Sequence, residues 1–223
     1  MIKVSPGLQP MKACVVIGDI VKSQALADLP AVVRRLREVL GRLNAEHEPE
    51  ILGAFRIFGG DSFEGALRTP RPAYDICREV AAALRPVRVR CVVAAGQVKS
   101  TARGNVLEMT GPVFQVAAES LAEMSRVRRR VLRAHGDVRF VTGVPDRDDS
   151  LNAIAGLIEV VRSRWTDRTW QLARLVAGGA RTEEAAVALG ITRQGARYQL
   201  EKHGIAQVLA VERQIRRRLA RLT

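Results

Sequence analysis

The sequence has few aromatic residues, few cysteines and few histidines. Phe, Trp and Tyr together make up 4% of the 223 residues, so the core of the protein must be mostly aliphatic. The cysteines Cys14, Cys77 and Cys91 are odd in number and sit in apolar surroundings. They therefore favour reduced, buried thiols over a disulfide framework. The three histidines are scattered, and no Cys/His cluster has the spacing of a structural zinc site.

Long apolar runs and acidic residues are also scarce. The N-terminal segment MIKVSPGLQPMK lacks the apolar core of a signal peptide, and no run approaches the length of a membrane span. We therefore expect a cytoplasmic protein with no membrane partner. Lys and Arg number 36 against 23 Asp and Glu, a formal charge of +13. Such a surplus predicts a polyanionic partner, nucleic acid first, with a basic membrane-surface protein and a genome-wide arginine bias as alternatives.

The apolar periodicity predicts an α/β (α+β) fold. The run ACVVIGD is typical of a strand buried on both faces, and helical spacing follows over residues 28–43. Two strands, 51–58 and 62–67, flank a tight hairpin at Gly59, Gly60 and Asp61. A helix over 73–84 and the strand VRVRCVVAAGQV complete a ferredoxin-like βαββαβ order. A further helix is predicted over 112–124, with extra edge strands at VLRA and VRFVT.

Three units are predicted along the chain: a ferredoxin-fold sensor domain over 11–145, a linker helix over 146–165, and a helix-turn-helix domain over 166–223. In the last unit Thr182 is a natural cap for one helix and Thr192 for the next, with Gly190 accepting a positive φ at the turn. Ala186 must be small where the two helices cross.

The exposed side of the second helix carries side chains suited to base edges and phosphates in a DNA major groove. The predicted DNA-binding residues are Thr192, Arg193, Gln194, Arg197, Tyr198 and Lys202. A homodimer is expected, since one recognition helix reads few bases and two half-sites supply affinity. A helical bundle used for dimerisation is the alternative.

Two aspartates are predicted to meet at one edge of the sheet. Asp19 ends the first strand and Asp61 sits in the hairpin. Paired carboxylates beside loops with free amides are a common way to hold Mg²⁺ or Mn²⁺ and a nucleotide. Asp19 is followed by Ile20, Val21, Lys22 and Ser23, whose amides, with the Lys22 side chain, could cradle phosphates. The alternative is that each aspartate only forms a turn.

Three segments resemble known families. VVIGDIVKS is similar to the metal-binding first strand of class III nucleotide cyclases, FGGDSFEG to their second metal-binding hairpin and that of GGDEF diguanylate cyclases, and MTGPVFQVAAESL to a later cyclase helix. The whole layout resembles the SatD family. The resemblance implies a cyclase-like domain over 11–145, metal positions at Asp19, Asp61 and Ile20, and a purine nucleotide that also contacts Gly59, Gly60 and Ser62.

The chain also departs from the cyclase pattern. Ser62 stands where diguanylate cyclases have glutamate, and Ile57 stands where class III cyclases read the base. Gln115 and Glu119 replace the asparagine and arginine used at the ribose and the reacting phosphate. A glutamate cannot neutralise charge developing on a transferring phosphate. We therefore expect a DNA-binding regulator with a degenerate, nucleotide-binding domain; a divergent cyclase or nucleotidyltransferase and a ligand-independent scaffold are the alternatives.

Overall fold

The computed structural model describes residues 9–100, 105–126 and 137–222. Five strands and eight α-helices are described, together with three short 3₁₀ turns. The elements are β1 (Gln9–Ile20), α1 (Leu29–Glu46), β2 (Ile51–Phe58), β3 (Ser62–Leu67), α2 (Ala73–Leu84), β4 (Val89–Ser100), α3 (Pro112–Arg126), β5 (Val138–Val141), α4 (Pro145–Arg162), α5 (Asp167–Ala177), α6 (Thr182–Ala188), α7 (Arg193–Lys202) and α8 (Ile205–Leu219).

The strands form one sheet in the order β2-β3-β1-β4-β5. Strands β2, β3, β1 and β4 pair with their neighbours in antiparallel orientation, and β5 pairs with β4 in parallel orientation. This order confirms the ferredoxin-like α/β plan, extended by one strand. Of the two predicted edge strands, VRFVT forms β5, whereas VLRA lies outside the described residues.

Both faces of the sheet are covered, which explains the continuous apolar runs of β1 and β4. Cys14 and Val16 on β1 face the larger core, which contains α1 and α2, whereas Val15 and Ile17 face a smaller core under α3. Helix α1 begins as its sequence predicts, because the Asp28 side chain accepts a hydrogen bond from the Ala31 amide at 2.8 Å.

Helix α4 packs against the sheet. It begins at Pro145, and Asn152 bonds both the amide and the carbonyl of Phe140 on β5, at 2.8 and 3.0 Å. Leu151, Ala155 and Ile158 are buried in the same core as α1 and α2. The predicted linker segment is thus a packed helix, and the domain limits stay a prediction.

The C-terminal helices contain the predicted helix-turn-helix arrangement in α6 and α7. Gly190 has φ of 60° at the turn, and the Thr192 hydroxyl caps α7 by accepting from the Gly195 amide at 3.0 Å. Helix α6 is capped one residue earlier than expected, since Arg181 is its N-cap and Thr182 its first residue. None of the helices in the described ranges has the length and hydropathy needed to cross a membrane.

Candidate functional sites

The two aspartates lie at the same end of the sheet. Asp19 on β1 pairs with Ser62 on β3, and the Ile20 amide donates to the Asp61 carbonyl at 3.0 Å. The hairpin turn places Gly59 at φ of 60° and Gly60 at 92°, a conformation that favours glycine. The hairpin thus brings the backbone of Asp61 next to the end of β1.

Asp19 forms an ion pair that the sequence motifs did not indicate. Arg90 lies directly opposite on β4, and its guanidinium donates to both carboxylate oxygens, with Nε 2.9 Å from Oδ1. Both side chains are 18% exposed. The alternating arginines of VRVRC were the available signal, but the pairing depends on a strand register that connects distant parts of the chain.

The Asp61 carboxylate is also engaged. It accepts hydrogen bonds from the Ser23 hydroxyl at 2.5 Å and from the Ser62 hydroxyl at 3.2 Å. Two of the amides considered for phosphate binding are used within the protein, since Ile20 bonds Asp61 and Val21 donates to the Arg88 carbonyl at 2.9 Å. Lys22 is exposed, and its backbone lies in the left-handed region, with φ of 57°.

These contacts decide whether a divalent metal fits this end of the sheet. Both oxygens of Asp19 face a guanidinium, and both oxygens of Asp61 accept from serine hydroxyls. Within the described ranges, no group of three or more His, Cys, Asp or Glu side chains is arranged to hold a metal ion. As arranged, the residues do not fit Mg²⁺ or Mn²⁺, which require several free oxygen ligands.

The positions that depart from the cyclase pattern have ordinary structural roles. Ile57 packs against the larger core, and Gln115 and Glu119 are exposed on α3. Glu64 lies on β3 two residues beyond Ser62, and burial raises the pKa of its carboxyl.

Helix α7 presents every predicted DNA-binding residue to solvent: Thr192, Arg193, Gln194, Arg197, Tyr198 and Lys202 are all exposed. Beneath them Ala196 is fully buried, as are Ala185 and Ala186 on α6. Small side chains let the two helices approach closely, so α7 keeps one face against the protein and the other free.

Two arginines of α7 form exposed ion pairs. Arg193 lies 2.7 Å from Glu183 on α6, and Arg197 lies 3.0 Å from Glu201. Exposed ion pairs of this kind contribute about 0–1 kcal/mol each to stability, so another anion can replace the glutamate at little cost. Both guanidiniums are therefore available to a polyanion.

A buried polar cluster joins α2, α4 and α8. Arg162 on α4 and Glu212 on α8 are 6% and 2% exposed, and their side chains meet at 2.5 Å. Burial lowers the pKa of Arg162, and nearby Arg78 lowers it further. For Glu212, burial favours the neutral acid, but Arg162 and Arg78 outweigh it and lower the pKa. Sequence patterns gave no sign of this cluster, because each member occupies an ordinary helical position.

The tryptophans connect this cluster to α7. Trp165 and Trp170 pack edge to face with centroids 5.0 Å apart, beside a cavity of about 520 Å³ between α2, α5 and α8. The Trp165 indole N–H donates to the His203 carbonyl, the C-cap of α7, at 2.9 Å. The end of α7 is thus fixed to the helices that cover the sheet.

The SatD family matches residues 13–185, more than three quarters of the chain. The chain belongs to the SatD family. Helix α7 lies beyond the matched residues. Among curated proteins, none matches this SatD chain.

Solved structures share parts of the SatD chain's architecture at low identity. A bacterial light-regulated adenylyl cyclase is 16% identical with a TM-score of 0.46, covering 62% of this chain and 45% of its own. This chain therefore spans less than half the length of that cyclase. The adenylyl cyclase CyaB from P. aeruginosa is 14% identical with a TM-score of 0.42, covering 52% of this chain and 73% of its own. A regulator of polyketide synthase expression from Bifidobacterium adolescentis is 15% identical with a TM-score of 0.28, covering 94% of this chain and 81% of its own.

Proposed function

We propose that this SatD protein is a DNA-binding transcriptional regulator that uses α7 as its recognition helix. The observation that carries the proposal is the division of α7 into two faces. One face buries Ala196, and the other exposes Arg193, Gln194 and Arg197 together with further polar side chains. A helix held in this way can enter a major groove without losing its packing.

The cap of α7 adds a second argument. A side chain at Gly195 would begin 3.1 Å from the Thr192 hydroxyl oxygen that caps the helix. Glycine at this position keeps the start of α7 uncrowded, so its first residues and their amides can approach a phosphate backbone closely. The net charge of +13 supplies the long-range attraction that such binding requires.

We propose a sensing or structural role for the sheet rather than catalysis. Arg90 is hydrogen-bonded to the Asp19 carboxylate. Glu119 stands where cyclases have the arginine that neutralises charge on the reacting phosphate. Binding of a purine nucleotide beside Asp61 and the homodimer stay predictions. Binding of Mg²⁺ or Mn²⁺ stays one only for a state in which Asp19 is released from Arg90. Incubation with each nucleoside triphosphate and either metal tests the enzyme alternative: turnover that is lost in Asp61→Asn would favour it.

Selection from a library of random DNA duplexes tests DNA binding without knowledge of the target. The wild-type protein should enrich one sequence, and an inverted repeat in that sequence would indicate a homodimer. The double variant Arg193→Ala/Arg197→Ala should enrich none. Arg34→Ala/Arg37→Ala on α1 is the matched control, since it also removes two exposed arginines, and it should enrich the wild-type sequence. Enrichment of that same sequence by the α7 variant would contradict the proposal.

A further inference from the structure

Four cationic side chains meet at the end of the sheet opposite to Asp19 and Asp61. They border one pocket of about 430 Å³ and come from four parts of the chain: Lys12 lies near the start of β1, Arg68 directly follows β3, Arg147 lies in the first turn of α4, and Arg221 follows α8. Lys12 and Asp19 lie near opposite ends of β1, so the pocket is separate from the aspartates.

These cations lack acidic partners. Within the described part of the chain, none of the four side chains forms an ion pair or a hydrogen bond, and no carboxylate borders the pocket. Other arginines of the protein, such as Arg42 with Glu46 and Glu79, are paired even at the exposed surface. Four like charges around a concave surface repel one another and concentrate positive potential there, which attracts a small anion.

The neighbouring polar groups strengthen this interpretation. Asp148 follows Arg147 in the first turn of α4, but its carboxylate is engaged by the backbone, since it accepts from the Thr142 amide at 2.8 and 2.9 Å. Thr142 also lines the pocket, and its hydroxyl oxygen is buried without a hydrogen-bond partner in the described structure. Gln97 on β4 adds another hydrogen-bonding side chain.

We propose that this pocket binds an oligophosphate, a small molecule with two or more linked phosphates. A terminal phosphate group carries about two negative charges and an inner one about one, so four cations match a chain of two or three linked groups. Guanidinium forks bind phosphate oxygens in pairs, and three of the four cations are arginines. The volume is that of a small-molecule site.

A ligand in this pocket would join the segment after α8 to the sheet. Arg221 and Leu222 follow α8, whereas Lys12 lies on β1 and Arg68 directly follows β3. Helix α8 in turn follows α7 directly, through Gly204 at φ of 60°. Oligophosphate binding therefore stabilises the position of α8 and, through it, that of α7. The binding site itself does not depend on DNA binding by α7.

Calorimetric titration of the full chain with inorganic tripolyphosphate, without divalent metal, tests the proposal. We expect saturable binding of one ligand per chain that weakens as salt is raised. Arg68→Ala and Arg221→Ala should each weaken binding about tenfold, the effect of losing one charge-assisted contact. Arg37→Ala removes an exposed, unpaired arginine from α1 and should bind like the wild type. Unfolding midpoints check that the variants are folded.

Titrations with ATP and with a DNA duplex distinguish a phosphate-chain site from a nucleotide site and from a nucleic-acid surface. Equal affinity for tripolyphosphate and ATP indicates a phosphate-chain site, and tighter binding of ATP indicates a nucleotide site; both support the proposal.

Absence of saturable tripolyphosphate binding overturns the proposal, as does equal weakening of that binding by Arg37→Ala and Arg68→Ala. If Arg68→Ala and Arg221→Ala weaken binding of a DNA duplex and tripolyphosphate does not bind, the cations form a nucleic-acid surface and the proposal is wrong. Arg193→Ala/Arg197→Ala should leave tripolyphosphate binding intact, which distinguishes this site from α7.

Discussion

The Tyr74 hydroxyl on α2 donates a 2.9 Å hydrogen bond to the Glu212 carboxylate on α8. Glu212 also accepts from Arg162 on α4, with Arg78 at 3.4 Å. One buried carboxylate thus joins α2, α4 and α8. Because these contacts are buried, α8 is fixed to the helices that cover the sheet.

Tyr74→Phe should lower the free energy of unfolding by about 1–2 kcal/mol. The change removes one donor from a buried carboxylate while keeping the ring and its packing. Tyr198→Phe, the same change at the exposed tyrosine of α7, should alter stability by less than about 0.5 kcal/mol. Denaturation in urea measures both. Equal effects would mean that the Tyr74–Glu212 contact does not stabilise the junction.

Arg90→Ala should increase affinity for Mn²⁺, because it leaves Asp19 without its cation. It should also lower stability by about 2 kcal/mol, the typical effect of removing a hydrogen-bonded partner from a charged group. Arg139→Ala is the control. It breaks the ion pair between Arg139 on β5 and Glu123 on α3, and it should not change Mn²⁺ affinity. Titration of Mn²⁺ followed by electron paramagnetic resonance measures free metal. If the wild type binds Mn²⁺ as tightly as Arg90→Ala, Arg90 does not replace a metal.

Glu64→Gln should stabilise the protein at pH 7 and have no effect below about pH 4. Burial raises the pKa of Glu64 in the folded state above its ordinary value of 4.5. Its contribution to stability is therefore present below the unfolded pKa and is lost as pH rises through the folded pKa. Since the carboxylate is partly exposed, the gain at pH 7 should stay below about 1 kcal/mol. Urea denaturation at several pH values measures it, and a gain that persists at pH 3.5 would contradict burial as its cause.

Gly190→Ala should destabilise the turn between α6 and α7 by about 1 kcal/mol. A Cβ at this position meets no atom within 4 Å, so the effect is the backbone strain of a side chain at φ of 60°. Gly41→Ala is the matched control on α1, where a Cβ also meets nothing within 4 Å. It should stabilise the protein by about 0.5–1 kcal/mol, since alanine favours a helix. Thermal unfolding of both variants should therefore shift in opposite directions.

The strand order and the helix-turn-helix could be predicted because local patterns specify them. Apolar runs such as ACVVIGD mark strands buried on both faces, and Gly190 marks a turn that requires positive φ. The exposure of Arg193 and Arg197 follows from the helical spacing of Ala196 and its apolar neighbours. These features need only short stretches of chain.

The state of the aspartates could not be predicted, because it depends on contacts between distant strands. Arg90 reaches Asp19 through the register of β1 and β4. The cationic pocket likewise collects Lys12, Arg68 and Arg221 from elements far apart in sequence. Patterns of single residues do not contain such pairings, so from sequence the aspartates were treated as free and these cations were not brought together.

Equilibrium binding to the duplex selected by the wild type, measured by fluorescence anisotropy, tests the central claim that α7 reads DNA. Arg197→Ala should weaken binding by about 1–3 kcal/mol if it contacts a base, and Arg37→Ala on α1 should leave the affinity unchanged. Unchanged affinity in Arg197→Ala and in Arg193→Ala would contradict the assignment of α7 as the recognition helix.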